Sequence, residues 1–186
     1  IYKRAVKEAV EEANLIKVDH ASKKGDHIGP VVSKIQYNKI ISLIQSGIDE
    51  GATLAAGGPE SPNGMNKGYF IKPTIFTDVK NDMRIAKEEI FGPVLCAIDF
   101  ENEEEALEIA NDTNYGLNAM IWSNDLNKVH KLAKRIKSGK VLINSVSDGD
   151  MSLPHGGYKQ SGFGRDKSLE ALGQYTQTKL TLIEIK

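Results

Sequence analysis

Between residues 94 and 144, short apolar runs alternate with helical stretches across links of only a few residues, and this rhythm constrains the fold more tightly than any other feature. Residues 94–100 read as an apolar strand. Asn102 caps the helix that follows, whose first turn holds Glu103, Glu104 and Glu105, where the positive end of the helix dipole favours negative charge. Residues 118–122 form the next strand. Asn124 caps a second helix, with Leu126, Val129, Ala133 and Ile136 on one face and Gly139 closing it. Residues 141–144 are a further strand. Strands linked this closely through helices run parallel, joined by right-handed crossovers, and their sheet is covered by helices on both faces. The expected fold class is therefore α/β with a mostly parallel sheet.

The flanking segments fit the same class. Tyr2, Val6, Ala9 and Ala13 recur at helical spacing among Lys and Glu, which predicts an amphipathic helix. Residues 25–30 break that pattern as a loop. Ser33 caps a second helix, Ile40, Ile41, Ile44 and Ile48 form its buried stripe, and Gly51 ends it. Residues 53–56 are a short strand, and residues 57–68 a loop rich in Gly, Pro and Asn. Residues 69–76 are extended, but Pro73 lacks an amide hydrogen and suits an edge strand or a bulge. Residues 145–165 form a long loop and residues 166–172 a short helix. Residues 180–185 close the chain as a strand apolar on both faces. The 186 residues are enough for one domain with a real core; the pattern divides them into a body, 1–172, and a tail, 173–186.

Several function classes are excluded. Lys plus Arg (24) nearly cancels Asp plus Glu (25), so no strong field steers the chain toward nucleic acid or a membrane surface. No run is long enough to span a bilayer, and no secretory leader pattern is present. One cysteine rules out an intrachain disulfide and fits a reducing, cytoplasmic setting. There is no G-x-G-x-x-G and no phosphate loop, and His20, His27, His130 and His155 are too scattered for a metal site. Cys96 lies inside an apolar run, where a small buried hydrophobe is expected and a thiolate is disfavoured. The opening residues, Ile1 to Arg4, enter a helical pattern at once without a methionine, as a chain beginning mid-protein would.

The segment Glu88-Glu89-Ile90-Phe91-Gly92-Pro93-Val94-Leu95 is the candidate for chemistry: taken alone, Glu88 and Glu89 could be a solvated helix end, and the Phe91-Gly92-Pro93 turn beside them shifts the balance toward a site. Glycine permits close backbone approach and proline stiffens entry into the strand, so the Phe91 ring is aimed outward from the rim of the sheet. A carboxylate there can accept both hydroxyl hydrogens of a ribose, and an aromatic beside it can flank a nicotinamide. Further on, the glycine-rich segment around Gly156 and Gly157 could be a flexible surface loop, but Tyr158, Lys159, Phe163 and Arg165, large groups interspersed with glycines, suggest an ordered loop in a crowded place; Arg165 is expected to order it through salt bridges. Asp148 and Asp150 around Gly149 read as an Asx turn or, in the sharper alternative, as acids that attract a cationic group.

Together, the Glu88–Leu95 motif and the Pro154–Arg165 stretch resemble the NAD(P)-dependent aldehyde dehydrogenases, with the likeness covering essentially the whole chain. The resemblance implies the carboxy-terminal part of that family's catalytic domain, followed by a strand that joins subunits into dimers or tetramers. Carried over, Glu89 binds the nicotinamide ribose of NAD or NADP and Phe91 lies against the ring side. The loop with Asp148, Asp150 and His155 lines the substrate tunnel; His155 stands where the family usually has an aromatic, and Asp166 where it often has Glu. The resemblance places no catalytic residue in this chain. The nucleophilic cysteine, the oxyanion-binding asparagine and the general-base glutamate are expected upstream, together with the Rossmann-like domain that selects the cofactor. It implies oxidation of an aldehyde to a carboxylic acid through a thiohemiacetal and thioester on that upstream cysteine, with the missing amino-terminal part of the same protein as partner and this polypeptide inactive alone. The stretches 148–151, 157–162 and 164–169 look most like bacterial aminoaldehyde dehydrogenases of the γ-glutamyl-γ-aminobutyraldehyde type. Two other readings remain open on the residues alone: a non-catalytic α/β module that holds a nucleotide or a protein, and a catalytically dead scaffold.

Overall fold

The structure is a computed structural model that describes residues 1–147 and 149–185. The chain divides into two compact units, Ile1–Glu101 and the part from Asn102 onward.

The first unit contains helices α1 (Tyr2–Leu15), α2 (Lys34–Asp49) and α3 (Arg84–Lys87) and strands β1 (Lys17–Val18), β2 (His27–Ile28), β3 (Thr53–Ala56), β4 (Thr74–Thr77) and β5 (Val94–Cys96). β4 is central, antiparallel to β3 and parallel to β5, with Thr74, Ile75 and Phe76 opposite Val94, Leu95 and Cys96. The extended segment expected over residues 69–76 thus becomes a central strand rather than an edge. It starts one residue after Pro73, so the missing amide hydrogen falls outside the ladder and Thr74 N–H makes the first bond, to the Pro93 carbonyl at 2.8 Å. The strand expected over residues 94–100 stops at Cys96, because β4 offers only one bond beyond that pair, from Ala97 N–H to the Phe76 carbonyl at 2.9 Å.

Side chains alternate across β4, and helices cover both faces. Phe76, fully buried, turns toward α2, where Ile40, Leu43 and Ile44 are buried with it. A Cβ on Gly47 would lie 3.2 Å from the Phe76 ring and 2.8 Å from Ile85, so glycine lets α2 sit close. The predicted stripe is displaced slightly: Ile41 and Ile48 are only half-buried, while Leu43 and Gly47 carry the contact. Ser33 caps α2 as expected, its hydroxyl accepting from Gln36 N–H at 3.2 Å, and Gly51 takes the left-handed conformation (φ +92°) past its end. On the other face, Tyr2, Val6, Ala9 and Ala13 of α1 are half-buried, and the Tyr2 hydroxyl donates to the Ala97 carbonyl at 3.2 Å. Between α1 and the sheet lies an apolar groove of about 350 Å³, lined by Ala9, Ala13, Ile16, Ile75, Pro93 and Leu95 among others.

The second unit contains α4 (Glu103–Asn111), β6 (Tyr115–Gly116), β7 (Asn118–Ile121), α5 (Leu126–Arg135), β8 (Lys140–Ile143), β9 (Tyr158–Lys159) and a 3-10 turn at Leu169–Gln174, which replaces the helix expected over 166–172. Asn102 caps α4 as predicted, accepting from Glu104 and Glu105 N–H at 3.1 and 3.0 Å. The cap of α5 is Asp125 rather than Asn124. Its carboxylate stands three residues before the Lys128 N–H it receives, at 3.1 Å, and its charge suits the helix dipole. Leu126 consequently points out (70% exposed), and Val129 is the buried residue of the face. α4 and α5 are tied by Glu103–Lys128 (2.5 Å) and by Glu104 gripped by both Arg135 nitrogens, at 2.7 and 2.5 Å.

β7 and β8 run parallel over four residues, β1 pairs with β2 in parallel, and β6 pairs with β9 antiparallel. The α/β class stands, with three of the five described pairings parallel, distributed over four small sheets. The strand expected over residues 180–185 has no ladder among the described residues. Strand geometry needs a hydrogen-bonded neighbour, and here Leu180, Leu182, Ile183 and Ile185 stand exposed. No helix among the described residues is long and apolar enough to cross a membrane.

Candidate functional site

Residues 88–94 form a turn between α3 and β5 in which inward and outward side chains alternate. Glu88 N–H closes α3 on the Arg84 carbonyl at 2.8 Å, and its carboxylate meets Arg84 Nε at 2.7 Å. That hydrogen bond holds the Glu88 carboxyl below the usual glutamate range. Glu88 is thus committed to the helix end. Glu89 is exposed, and its carboxylate has no partner among the described residues. Ile90 turns inward into the core, and Phe91 turns out, 72% exposed. Val94 N–H then bonds the Gly92 carbonyl at 2.8 Å, which tightens the turn into the strand.

Phe91 holds a left-handed conformation, φ +56°. For a residue with a Cβ this costs roughly 1–2 kcal/mol, and it persists only where neighbours hold it. The neighbours are on α2: Gln36 Nε2 donates to the carbonyls of Ile90 (3.2 Å) and Phe91 (2.8 Å), and Lys39 Nζ to that of Glu89 (2.5 Å). Sequence reasoning missed both side chains, since nothing local links positions more than fifty residues apart. The net effect is a free carboxylate and an exposed ring two residues apart, on backbone anchored by Ile90. This pair can receive two hydroxyl donors and offer an aromatic flank at once. Neither residue lines the apolar groove beneath α1.

Cys96 sits half-buried in β5 with its thiol 3.5 Å from the Ile85 carbonyl, and burial pushes that thiol up to about 11. It is a packed hydrophobe without thiolate character. No group of three His, Cys, Asp or Glu among the described residues could hold a metal ion.

In the second unit, Asp150 Oδ1 accepts from Ser152 N–H at 2.8 Å, and this bond keeps the Asp150 carboxyl below the usual aspartate range. The Asx turn is therefore present, with the carboxylate exposed. Asp148 lies outside the described residues. His155 exchanges both backbone hydrogen bonds with Asp166, at 2.8 and 2.6 Å, while its buried Nδ1 has no partner among the described residues. The glycines beside it permit close packing: a Cβ on Gly139 would lie 1.8 Å from the Gly156 carbonyl oxygen. Arg165 does order this loop, but among the described residues it does so without the expected salt bridge. Its Nη1 donates to the carbonyls of Gly157 (3.1 Å) and Gly164 (2.6 Å), and the guanidinium lies 5.4 Å from the centre of the Tyr158 ring. The first unit thus joins Glu89 and Phe91, and the second holds Asp150 and His155 on one loop.

The sequence pattern of the aldehyde dehydrogenase family matches residues 1–181. A betaine aldehyde dehydrogenase from Brucella anthropi is 43% identical over 183 residues, covering 98% of this chain and 38% of its own length. Among solved structures, an aldehyde dehydrogenase from Bartonella henselae superposes with a TM-score of 0.93 at 48% identity, over 96% of this chain and 37% of that one. An NAD+ complex of a Bacillus cereus aldehyde dehydrogenase superposes with a TM-score of 0.92 at 43% identity, over 100% of this chain and 37% of that one. The chain spans 38% of the length of that curated relative.

Proposed function

The chain belongs to the aldehyde dehydrogenase family, and from that premise we propose that its Glu89–Phe91 turn holds the nicotinamide end of NAD or NADP during oxidation of an aldehyde to a carboxylic acid. The observation that carries this reading is the pairing of an exposed carboxylate, without a partner among the described residues, with an outward ring on a turn strained to present them. The residues present fit the group: Glu89 would accept the two ribose hydroxyl hydrogens, and Phe91 would bound one side of the ring and exclude water from it. When bound, the cofactor supplies a hydride acceptor. The Bacillus cereus relative, solved with NAD+, favours the same assignment.

The second unit supports a role at the substrate end. The loop of Asp148, Asp150 and His155 shapes aldehyde entry, and the exposed Asp150 carboxylate suits an aldehyde with a cationic far end, such as an aminoaldehyde. The nucleophilic cysteine, oxyanion asparagine and general base come from the portion of the family's sequence that this chain does not span; the burial of Cys96 fits that division. The polypeptide alone therefore forms no NADH from aldehyde. The tail from residue 173 onward joins subunits of the intact enzyme, which works in the cytoplasm as a dimer or tetramer; the exposed Leu180, Leu182, Ile183 and Ile185 favour this.

Calorimetric titration with NAD tests the cofactor assignment. The unaltered chain releases heat on binding, and Glu89→Gln, which keeps size but loses charge, weakens it by about 10-fold, the order of one charge-assisted hydrogen bond. No binding by the unaltered chain, or equal binding by the variant, contradicts the assignment.

A further inference from the structure

We propose that Asn63 is a site of spontaneous covalent modification, at which the Gly64 amide closes on the Asn63 side chain, ammonia leaves, and hydrolysis puts a carboxylate in place of the carboxamide. The loop over residues 57–68 supplies the conditions in one turn. Asn63 is the one asparagine of the sequence followed by glycine, and glycine carries no side chain to shield its nitrogen from attack. Met65 N–H bonds the Pro62 carbonyl at 3.0 Å, which sets Asn63 and Gly64 at the corners of the turn. Gly64 takes φ +77°, at the position where a type II turn calls for glycine. Pro62 is buried and anchors the turn, while Asn63 and Gly64 are exposed, and a Cβ on Gly64 would meet nothing within 4 Å. Among the described residues, no hydrogen bond holds the Asn63 carboxamide or the Gly64 N–H. Asn144, followed by the small Ser145, is the contrast. Its Oδ1 accepts from Ser123 N–H and its Nδ2 donates to the Ser123 carbonyl, each at 2.9 Å.

The reaction needs water and no oxidant or reductant. The Gly64 nitrogen gives its proton to hydroxide and its lone pair attacks Asn63 Cγ. A new C–N bond closes a five-membered succinimide as the bond from Cγ to the side-chain nitrogen breaks and ammonia departs. Water then opens the ring on either side. Attack at Cγ leaves aspartate; attack at the main-chain carbonyl leaves isoaspartate, whose backbone runs through the former side chain and is one carbon longer. That longer backbone no longer matches the Met65 to Pro62 hydrogen bond. Either product adds a negative charge to a chain of net charge −1. The charge appears beside a hollow of about 470 Å³ that Asn63 and Lys72 both line, where Lys72 already meets Glu60 at 3.4 Å. Loss of ammonia is irreversible, so the converted fraction records how long the folded chain has stood in solution.

The test ages the folded 186-residue chain at neutral pH and one unit above it, then follows its tryptic peptides by mass spectrometry. The peptide of residues 40–67 gains one mass unit at Asn63, while the peptide of residues 141–159, which carries Asn144, stays unchanged. The gain runs about ten-fold faster at the higher pH, as the deprotonated fraction of an amide far below its pKa does. An isoaspartyl methyltransferase with labelled methyl donor marks the aged chain at residue 63, and Asn63→Gln, whose ring closure needs a less favourable six-membered ring, removes both the gain and the mark. A free synthetic peptide of residues 57–68 gives the rate without the fold. Conversion in the folded chain at a rate comparable to the peptide's, confined to Asn63, supports the proposal. A folded chain that keeps its Asn63 carboxamide while the peptide converts, or equal conversion at Asn63 and Asn144, overturns it.

Discussion

Ile40 occupies the space that a side chain on Gly92 would need: a Cβ there would lie 2.6 Å from Ile40 Cδ1 and within 3.1 Å of two more of its carbons. The most deeply buried stripe of α2 is therefore pressed directly against the turn that carries Glu89 and Phe91. Core packing and site geometry are one structure here.

Replacing Gly92 with alanine forces Ile40 off its place in a close-packed core. Overpacking of this kind costs roughly 1–3 kcal/mol. Urea unfolding of Gly92→Ala should show that loss, together with weakened NAD binding, because the turn shifts with the helix. Unchanged stability would mean that Ile40 yields freely and that the contact does not tie core to site.

Phe76 faces α2, with the Gly47 backbone and Ile85 packed at the same place. Phe76→Ala leaves a cavity that a sheet and a helix cannot close, at a cost of about 3–5 kcal/mol. Chemical denaturation of the variant measures it. A loss below about 1 kcal/mol, the size of a single methylene's deletion, would contradict the placement of the core.

Glu104 is held below the usual glutamate range, first by its hydrogen bonds from Arg135 and then by the positive charge of Arg135 and Lys131. Its pKa is depressed in the folded chain, so the unfolded chain binds the proton more readily between the two values and stability rises with pH there. The contribution is present above the ordinary glutamate pKa and is lost as pH falls through the depressed one. The pair is exposed, so salt screens it. Unfolding midpoints of the unaltered chain and Glu104→Gln should differ at neutral pH and converge in acid and in high salt. A difference independent of both would remove the electrostatic account.

Burial raises the Cys96 thiol to about 11. At pH 8, alkylation of the folded chain should run roughly 100-fold slower than that of the urea-unfolded chain, the ratio given by a two-unit shift in thiolate fraction. The folded value is raised, so this group's contribution to stability is complete below the unfolded thiol's pKa and falls as pH climbs toward 11. Equal alkylation rates would mean that the thiol is accessible and ionisable after all.

The helix caps at Ser33 and Asn102 were legible because a cap is a local bond, spanning three residues. Asp125 shows the limit of that logic, since Asn124 and Asp125 are both good caps and only the register of Lys128 N–H decides between them. The outward Phe91 was likewise legible from the glycine and proline beside it. What the sequence hid was long-range: Gln36 and Lys39 reach carbonyls over fifty positions away, and Pro73 stands next to a central strand because its ring falls one residue outside the ladder. The segment over residues 180–185 has strand-like composition but no ladder neighbour among the described residues, and composition alone cannot supply one.

Saturation-transfer difference spectra of NAD in the presence of this chain test the central claim most directly, because they report which protons of the dinucleotide touch the protein. The account predicts saturation concentrated on the nicotinamide ring and its ribose, and its loss in Glu89→Gln. Saturation centred on the adenine, or a pattern indifferent to Glu89, would contradict it.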